Sequence, residues 1–180
     1  MKRLIALSMF LPIVAYAVDY SKVQSDQSSI IFVSRQMNVP VEGVFKKFTA
    51  HVRINPAKPE TATAQIAIEL ASIDAGSAEA NDEVKGKNWF DVAEFPKAEF
   101  ISSSVKALGA GRYEAFGKMS IKGKTADVHT PFTLKEEKGA LSIDGAFSLK
   151  RLDFGIGSGL WSDTSVVADE VQIKFHFVVK

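Results

Sequence analysis

RYEAFGKMSIKGKTADVHTPFTLKEEKGALSIDGAFSLK, residues Arg112–Lys150, holds three apolar–polar alternating runs separated by turn signals. Tyr113, Ala115, Gly117, Met119 and Ile121 share a face of the first run, Arg112–Lys122. Val128, Thr130, Phe132 and Leu134 share a face of the second, Asp127–Lys135. Leu141, Ile143, Gly145, Phe147 and Leu149 share a face of the third, Leu141–Lys150. A period of two is that of half-buried strands. Gly123 and Lys138-Gly139 make the turns, and short hairpins join antiparallel neighbours.

The pattern continues on both sides. Upstream, Gly109 and Gly111 turn back into a serine-rich strand, Phe100–Leu108. Before it lie Thr63–Leu70, with Ala64, Ile66, Ile68 and Leu70 inward, and a strand from Phe48, with Phe48, Ala50, Val52 and Ile54 inward. Ser29–Gln36 places Ile30, Ile31, Phe32 and Val33 in a row, so both its faces are apolar. Met37–Gly43 contains Pro40 and Gly43 and reads as a turn. Downstream, Val171, Ile173, Phe175, Phe177 and Val179 alternate with Gln172, Lys174, His176 and Val178. About eight strands make the chain all-β and antiparallel, as a sandwich or a barrel. An eight-stranded barrel can be filled by side chains or hold one small ligand. Ala64, Ala115, Gly117 and Gly145 among the inward residues suit an open lumen, or equally the seating of bulky neighbours.

One stretch breaks the alternation: SIDAGSAEANDEVKGKNWFDVAEFPKAEF, Ser72–Phe100. Ser77 can cap a helix over Ala78–Lys85 that Gly86 ends. Asn88 can cap a second turn, Trp89–Glu94, stopped at Pro96. That turn is apolar on nearly every side and must cover something apolar. The segment is expected to be a short helical lid.

Lys2 and Arg3, the apolar run Leu4–Val14 and Ala15-Tyr16-Ala17 together form a secretory signal, too short to span a bilayer. Residues 1–17 are expected to be removed, leaving 18–180 as one domain without a transmembrane segment. The chain has 22 basic and 21 acidic residues, so loss of Lys2 and Arg3 leaves about one net negative charge. That balance argues against a nucleic-acid partner. There is no cysteine, which excludes disulfides and thiolate chemistry. A short basic leader and no cysteine fit a bacterial periplasm.

Catalytic signals are sparse. His51, His129 and His176 fall on the polar faces of their strands, without metal-ligand spacing and without HExxH. No G-x-S-x-G occurs, and Gly155, Gly157 and Gly159 do not form a phosphate loop. Asp82 with Glu83, Asp91 with Glu94, and Asp169 with Glu170 are the carboxylate pairs open to acid–base work. Lys46-Lys47 and Lys150-Arg151 read as solvated charges, or as contacts for an anionic group at a barrel mouth. No metal and no cofactor are expected.

Several segments together resemble the YceI-like family: Ser28–Phe32 (SSIIF), Val41–Phe48 (VEGVFKKF), Ser72–Gly76 (SIDAG), Phe90–Phe100 (FDVAEFPKAEF), Gly117–Gly123 (GKMSIKG), Arg151–Ile156 (RLDFGI) and Asp169–Ile173. They occur in order across the chain after residue 17. The resemblance implies an eight-stranded antiparallel lipocalin-like barrel whose apolar tunnel holds a polyisoprenoid lipid, and a possible homodimer. Asn81-Asp82-Glu83-Val84 and Trp89 depart from the family's pattern beside the lid. The expected lining is Phe48, Val52, Ile66, Ile68, Phe100, Met119, Phe132, Ile143, Phe147, Phe175 and Phe177, with Trp89, Phe90 and Phe95 shutting one end. Function is thus expected to be periplasmic carriage of an isoprenoid-type lipid, a polyprenyl compound or quinone. The alternatives are a carboxylate-dependent enzyme on a lipid or sugar and a filled barrel serving as a structural or interaction protein.

Overall fold

The computed structural model describes residues 19–180; the expected export signal, residues 1–17, lies outside the described residues. Ten strands and one α-helix follow in order: β1 (Ser29–Gln36), β2 (Val39–Phe45), β3 (Phe48–Arg53), β4 (Thr63–Glu69), β5 (Ile73–Asp74), α1 (Ala78–Lys85), β6 (Lys97–Gly109), β7 (Arg112–Ile121), β8 (Lys124–Glu137), β9 (Ala140–Lys150) and β10 (Glu170–Val179). They form one sheet in the order β3-β4-β6-β7-β8-β9-β10-β1-β2-β5, and every pairing is antiparallel.

The sheet curls until its flanks meet. β2 runs into β3 through Lys46-Lys47, so the two are one broken stave. At the opposite end Tyr20 bridges to Ile54 next to β3, and Val23 bridges to Val179 of β10. With the two-residue β5 set aside, eight staves remain, the expected lipocalin-like barrel.

Two expectations need correction. Met37–Gly43 is not a turn as a whole; only Met37 and Asn38 turn, at φ 49° and 66°, and β2 starts at Val39. Two successive left-handed residues make the tight hairpin whose twist matches the strands. Pro40 is tolerated near the tip of the pair. Trp89–Glu94 is also not a helical turn. Asp91 takes φ 51°, and the amides of Phe90, Asp91 and Val92 reach back to the carbonyls of Val84, Gly86 and Lys85. The segment folds onto the end of α1 rather than continuing it. α1 itself matches its expected bounds, with the Ser77 hydroxyl accepting from the Ala80 amide at 3.1 Å.

The inward glycines resolve the choice left by the sequence. A Cβ on Gly145 would stand 2.3 Å from the Phe175 ring, and one on Gly43 would stand 2.2 Å from the Phe32 ring. Each pair lies directly opposite across a ladder, Phe175 with Gly145 and Phe32 with Gly43. Gly117 seats the Phe100 ring in the same way, 2.7 Å from the Cβ it lacks. The rings therefore lie flat along the wall instead of projecting across the barrel. Small residues here both seat bulky neighbours and keep the axis clear.

Gly145→Val should lower stability by roughly 2–3 kcal/mol through overpacking, read as a lower urea midpoint. An unchanged midpoint would mean that Phe175 leaves its seat at no cost.

Candidate functional site

Inside the staves lie two cavities set end to end. The lower one, of about 100 Å³, runs toward Ile54. The upper one, of about 110 Å³, lies beneath α1 and Trp89. Four residues from four strands belong to both: Ile30, Ile68, Met119 and Ile173. They form a waist. A water needs about 10–15 Å³ measured this way, so each chamber has room for several, but the walls offer them almost no partners. Thr63, Ser102 and Thr130 are the hydroxyls of the lower chamber, and Ser102 already accepts the Ala64 amide at 2.7 Å.

Ten residues expected in the lining meet the lower chamber: Val52, Ile66, Ile68, Phe100, Met119, Phe132, Ile143, Phe147, Phe175 and Phe177. Trp89 and Phe90 meet the upper one. Phe48 and Phe95 meet neither. Phe48 packs edge-on against Phe177 at 5.8 Å, and the Phe95 ring covers Gly123 in the β7–β8 turn, where it closes a surface corner.

The roof of the upper chamber is tied by one side chain, and here a further expectation fails. Arg151 is not a solvated charge: it is 1% exposed. Its guanidinium donates to five carbonyls, of Ala168 (3.0 Å), Ile156 (2.9 Å), Gly157 (3.1 Å), Trp161 (2.6 Å) and Val167 (2.7 Å). Burial pushes its pKa down, partly countered by Asp169, yet arginine stays charged. The cation also sits 5.5 Å from the Trp89 ring. Trp89 packs on Trp161 at 5.5 Å, and the Trp161 indole N–H donates to Glu83 of α1 at 2.6 Å. Lys122, its pKa lowered by burial, adds bonds to the carbonyls of Lys87 and Gly155 at 2.8 and 3.1 Å. The Trp89 indole N–H is buried with no acceptor among the described residues, a cost of about 1–3 kcal/mol that its stacking partners must offset.

The sequence profile of the YceI-like domain matches residues 21–179. The chain belongs to that family. It is 46% identical to Burkholderia cenocepacia BcnA, whose crystal structure superposes with a TM-score of 0.86 over 88% of this chain and 100% of that one. A UPF0312 protein of Pseudomonas savastanoi pv. phaseolicola is 29% identical over 147 residues, 78% of this chain and 74% of its own. The fold is shared with a polyisoprenoid-binding domain of Saccharophagus degradans implicated in plant cell wall breakdown, at 15% identity and a TM-score of 0.68, over 92% of this chain and 99% of that one.

In this YceI-like chain three of the six paired carboxylates are tied into the frame. Glu83 holds Trp161, Asp169 accepts the Leu152 amide, and Glu170 accepts the Ser148 hydroxyl. None lines a chamber. His129 and His176 stand outside the barrel against Glu114 and Asp144. Among the described residues no three metal-ligating side chains converge, and no helix is long and apolar enough to cross a membrane. Much of the upper lining escaped the sequence reading: Phe32, Phe45, Leu70, Ile73, Ile121 and Arg151. For Arg151 the signal was present, since the inward parity of Ile143, Phe147 and Leu149 continues to residue 151.

Replacing Arg151 with Leu should cost about 3–5 kcal/mol, because it orphans buried carbonyls. Arg151→Lys should recover only part, having three donors and no planar fork. Denaturant titration measures the cost, and amide exchange should rise first in residues 156–168.

Proposed function

We propose that this chain is an exported carrier that holds one isoprenoid-type lipid, a polyprenyl compound or quinone, in its waisted lumen. The observation that carries this reading is the pair of apolar chambers placed end to end, a shape suited to a long thin hydrocarbon rather than a compact one. Transfer of a tail from water gains about 25 cal/mol per Å², so each ~100 Å² buried contributes about 2.5 kcal/mol before ordering costs. Binding of this kind needs length and an apolar wall, not a reactive group. The polyisoprenoid-binding domain of Saccharophagus degradans supports the same ligand class. Carboxylates that stay out of both chambers favour a binder over an enzyme.

The leader in residues 1–17 and the lack of cysteine support residence in a bacterial periplasm. Outward-facing Ile31, Val33 and Val44, neighbours on β1 and β2, are the patch through which a homodimer would form. Sedimentation at several concentrations tests the dimer: a strict monomer removes it.

The carrier reading is tested by native mass measurement of the protein from a periplasmic fraction, followed by organic extraction. A lipid released near one per chain is expected. A bare mass, with no uptake of added undecaprenol or ubiquinone, would replace the carrier with a filled barrel. The waist gives a second test. Met119→Trp should weaken undecaprenol roughly tenfold, about 1.4 kcal/mol, while farnesol, short enough for one chamber, changes less. Equal loss for both chains would remove the two-chamber account of length.

A further inference from the structure

The barrel wall is not continuous. β7 and β8 pair from Arg112↔Thr133 to Ile121↔Lys124, and β9 and β10 pair from Glu170↔Lys150 to Val179↔Leu141. Between them the β8–β9 ladder runs only from Phe132↔Gly145 to Glu137↔Ala140. Over Lys124–Pro131 and Ala146–Lys150 the two strands splay apart, each held by its other neighbour. The cause lies at the fork. Pro131 has no N–H to give to a ladder, and beyond Lys150 the chain turns in to deliver Arg151 to its carbonyls. Phe154, buried in the 3₁₀ turn Arg151–Phe154, wedges the top of the gap.

What remains is a cleft of about 580 Å³. Successive strand residues point to opposite faces, so a surface groove should touch one parity only. This one touches both. Asp127, His129 and Ser148 belong to the outer face, whereas Val128, Phe147 and Leu149 belong to the inner face. The cleft therefore reaches between the two strands to residues of the inner face. Phe147 also lines the lower chamber and Leu149 the upper, so single side chains separate the cleft from the lumen on both sides of the waist.

The two ends of the barrel offer no comparable route. The lid end is fastened by Arg151, Lys122 and the Trp161–Glu83 bond. The far end is crossed by the Tyr20 and Val23 bridges. Passage through either breaks several hydrogen bonds, whereas β8 and β9 share no ladder bonds along the cleft.

We propose that the β8–β9 cleft is the side entrance of the lumen, gated by Phe147, and that it admits a slender apolar chain such as an isoprenoid tail. This rests on the carrier reading above. The lid is then a fixed roof rather than the door.

Stopped-flow fluorescence with all-trans-retinol, an isoprenoid alcohol that brightens in apolar surroundings, reads both uptake and release. The chain has no cysteine, so Val128→Cys can be alkylated after folding with a bulky maleimide. Val128 lines neither chamber. Alkylation should slow uptake and release together, each by about tenfold, with little change in equilibrium affinity. Phe147→Ala should move the rates the opposite way. A disulfide between Asn88→Cys and Ser158→Cys, where the Ser158 amide now meets the Asn88 carbonyl at 2.8 Å, should lock the lid and leave exchange unchanged. Rates insensitive to both Val128 alkylation and Phe147→Ala overturn the side entrance, as does a lid lock that by itself stops exchange. A parent protein that takes up no retinol, undecaprenol or ubiquinone removes the carrier reading and the entrance with it.

Discussion

A charge with no counter-ion in hydrogen-bonding contact among the described residues holds the upper half of this barrel together. The Arg151 guanidinium is compensated by carbonyl dipoles drawn from Ile156 to Ala168. Removing such a group from water costs several kcal/mol, and the return is that five carbonyls with no strand or helix partner for those bonds are satisfied at once. The long β9–β10 connection acquires a fixed shape without regular secondary structure. Gly157 takes φ 77° and has no Cβ where one would stand 2.2 Å from the guanidinium, so the loop's backbone is built to fit the cation. Trp89 then lies over the cation and packs against Trp161, and α1 is attached through Glu83. The lid is positioned from the loop side, not by its own helix.

The lumen depends on a different device. Aromatic rings opposite glycines are normally read as packing repairs, yet here they set the bore. Phe32, Phe100 and Phe175 each lie over a glycine on the adjoining strand, which turns three large residues into thin wall facing. The waist uses the opposite choice. Ile30, Ile68, Met119 and Ile173 project inward without such seats, and one of them is the unbranched, adaptable methionine.

The strands with strict alternation were legible from sequence because burial on one face writes period two into the chain. That covered β3, β4 and β6 to β10, whose inward sets supply most of the lining of the lower chamber. β2 was hidden because Pro40 and Gly43 are turn signals in isolation; Gly43 is there to seat Phe32, a reason visible only once the strands are paired. Phe95 and Trp89 share one apolar run, and nothing in its composition separates the ring that faces the lumen from the ring that covers a hairpin. Arg151 was misread because charge outweighed parity. The interrupted β8–β9 pairing leaves no trace in hydrophobic pattern at all, since both strands keep their alternation on either side of the fork.

The seam of the barrel joins segments far apart in the sequence. β1 pairs with β10, Val23 bridges Val179, and the amides of Ser21 and Lys22 both reach the carbonyl of Lys180. Closure thus requires contacts about 150 residues apart in sequence, the kind of topology that folds slowly because loop entropy is spent before the contacts form. A chain synthesised from its N-terminus cannot complete this seam until β10 is free. Until then β1 can pair only with β2 and Tyr20 only with Ile54, and the barrel stays open along its β1–β10 edge.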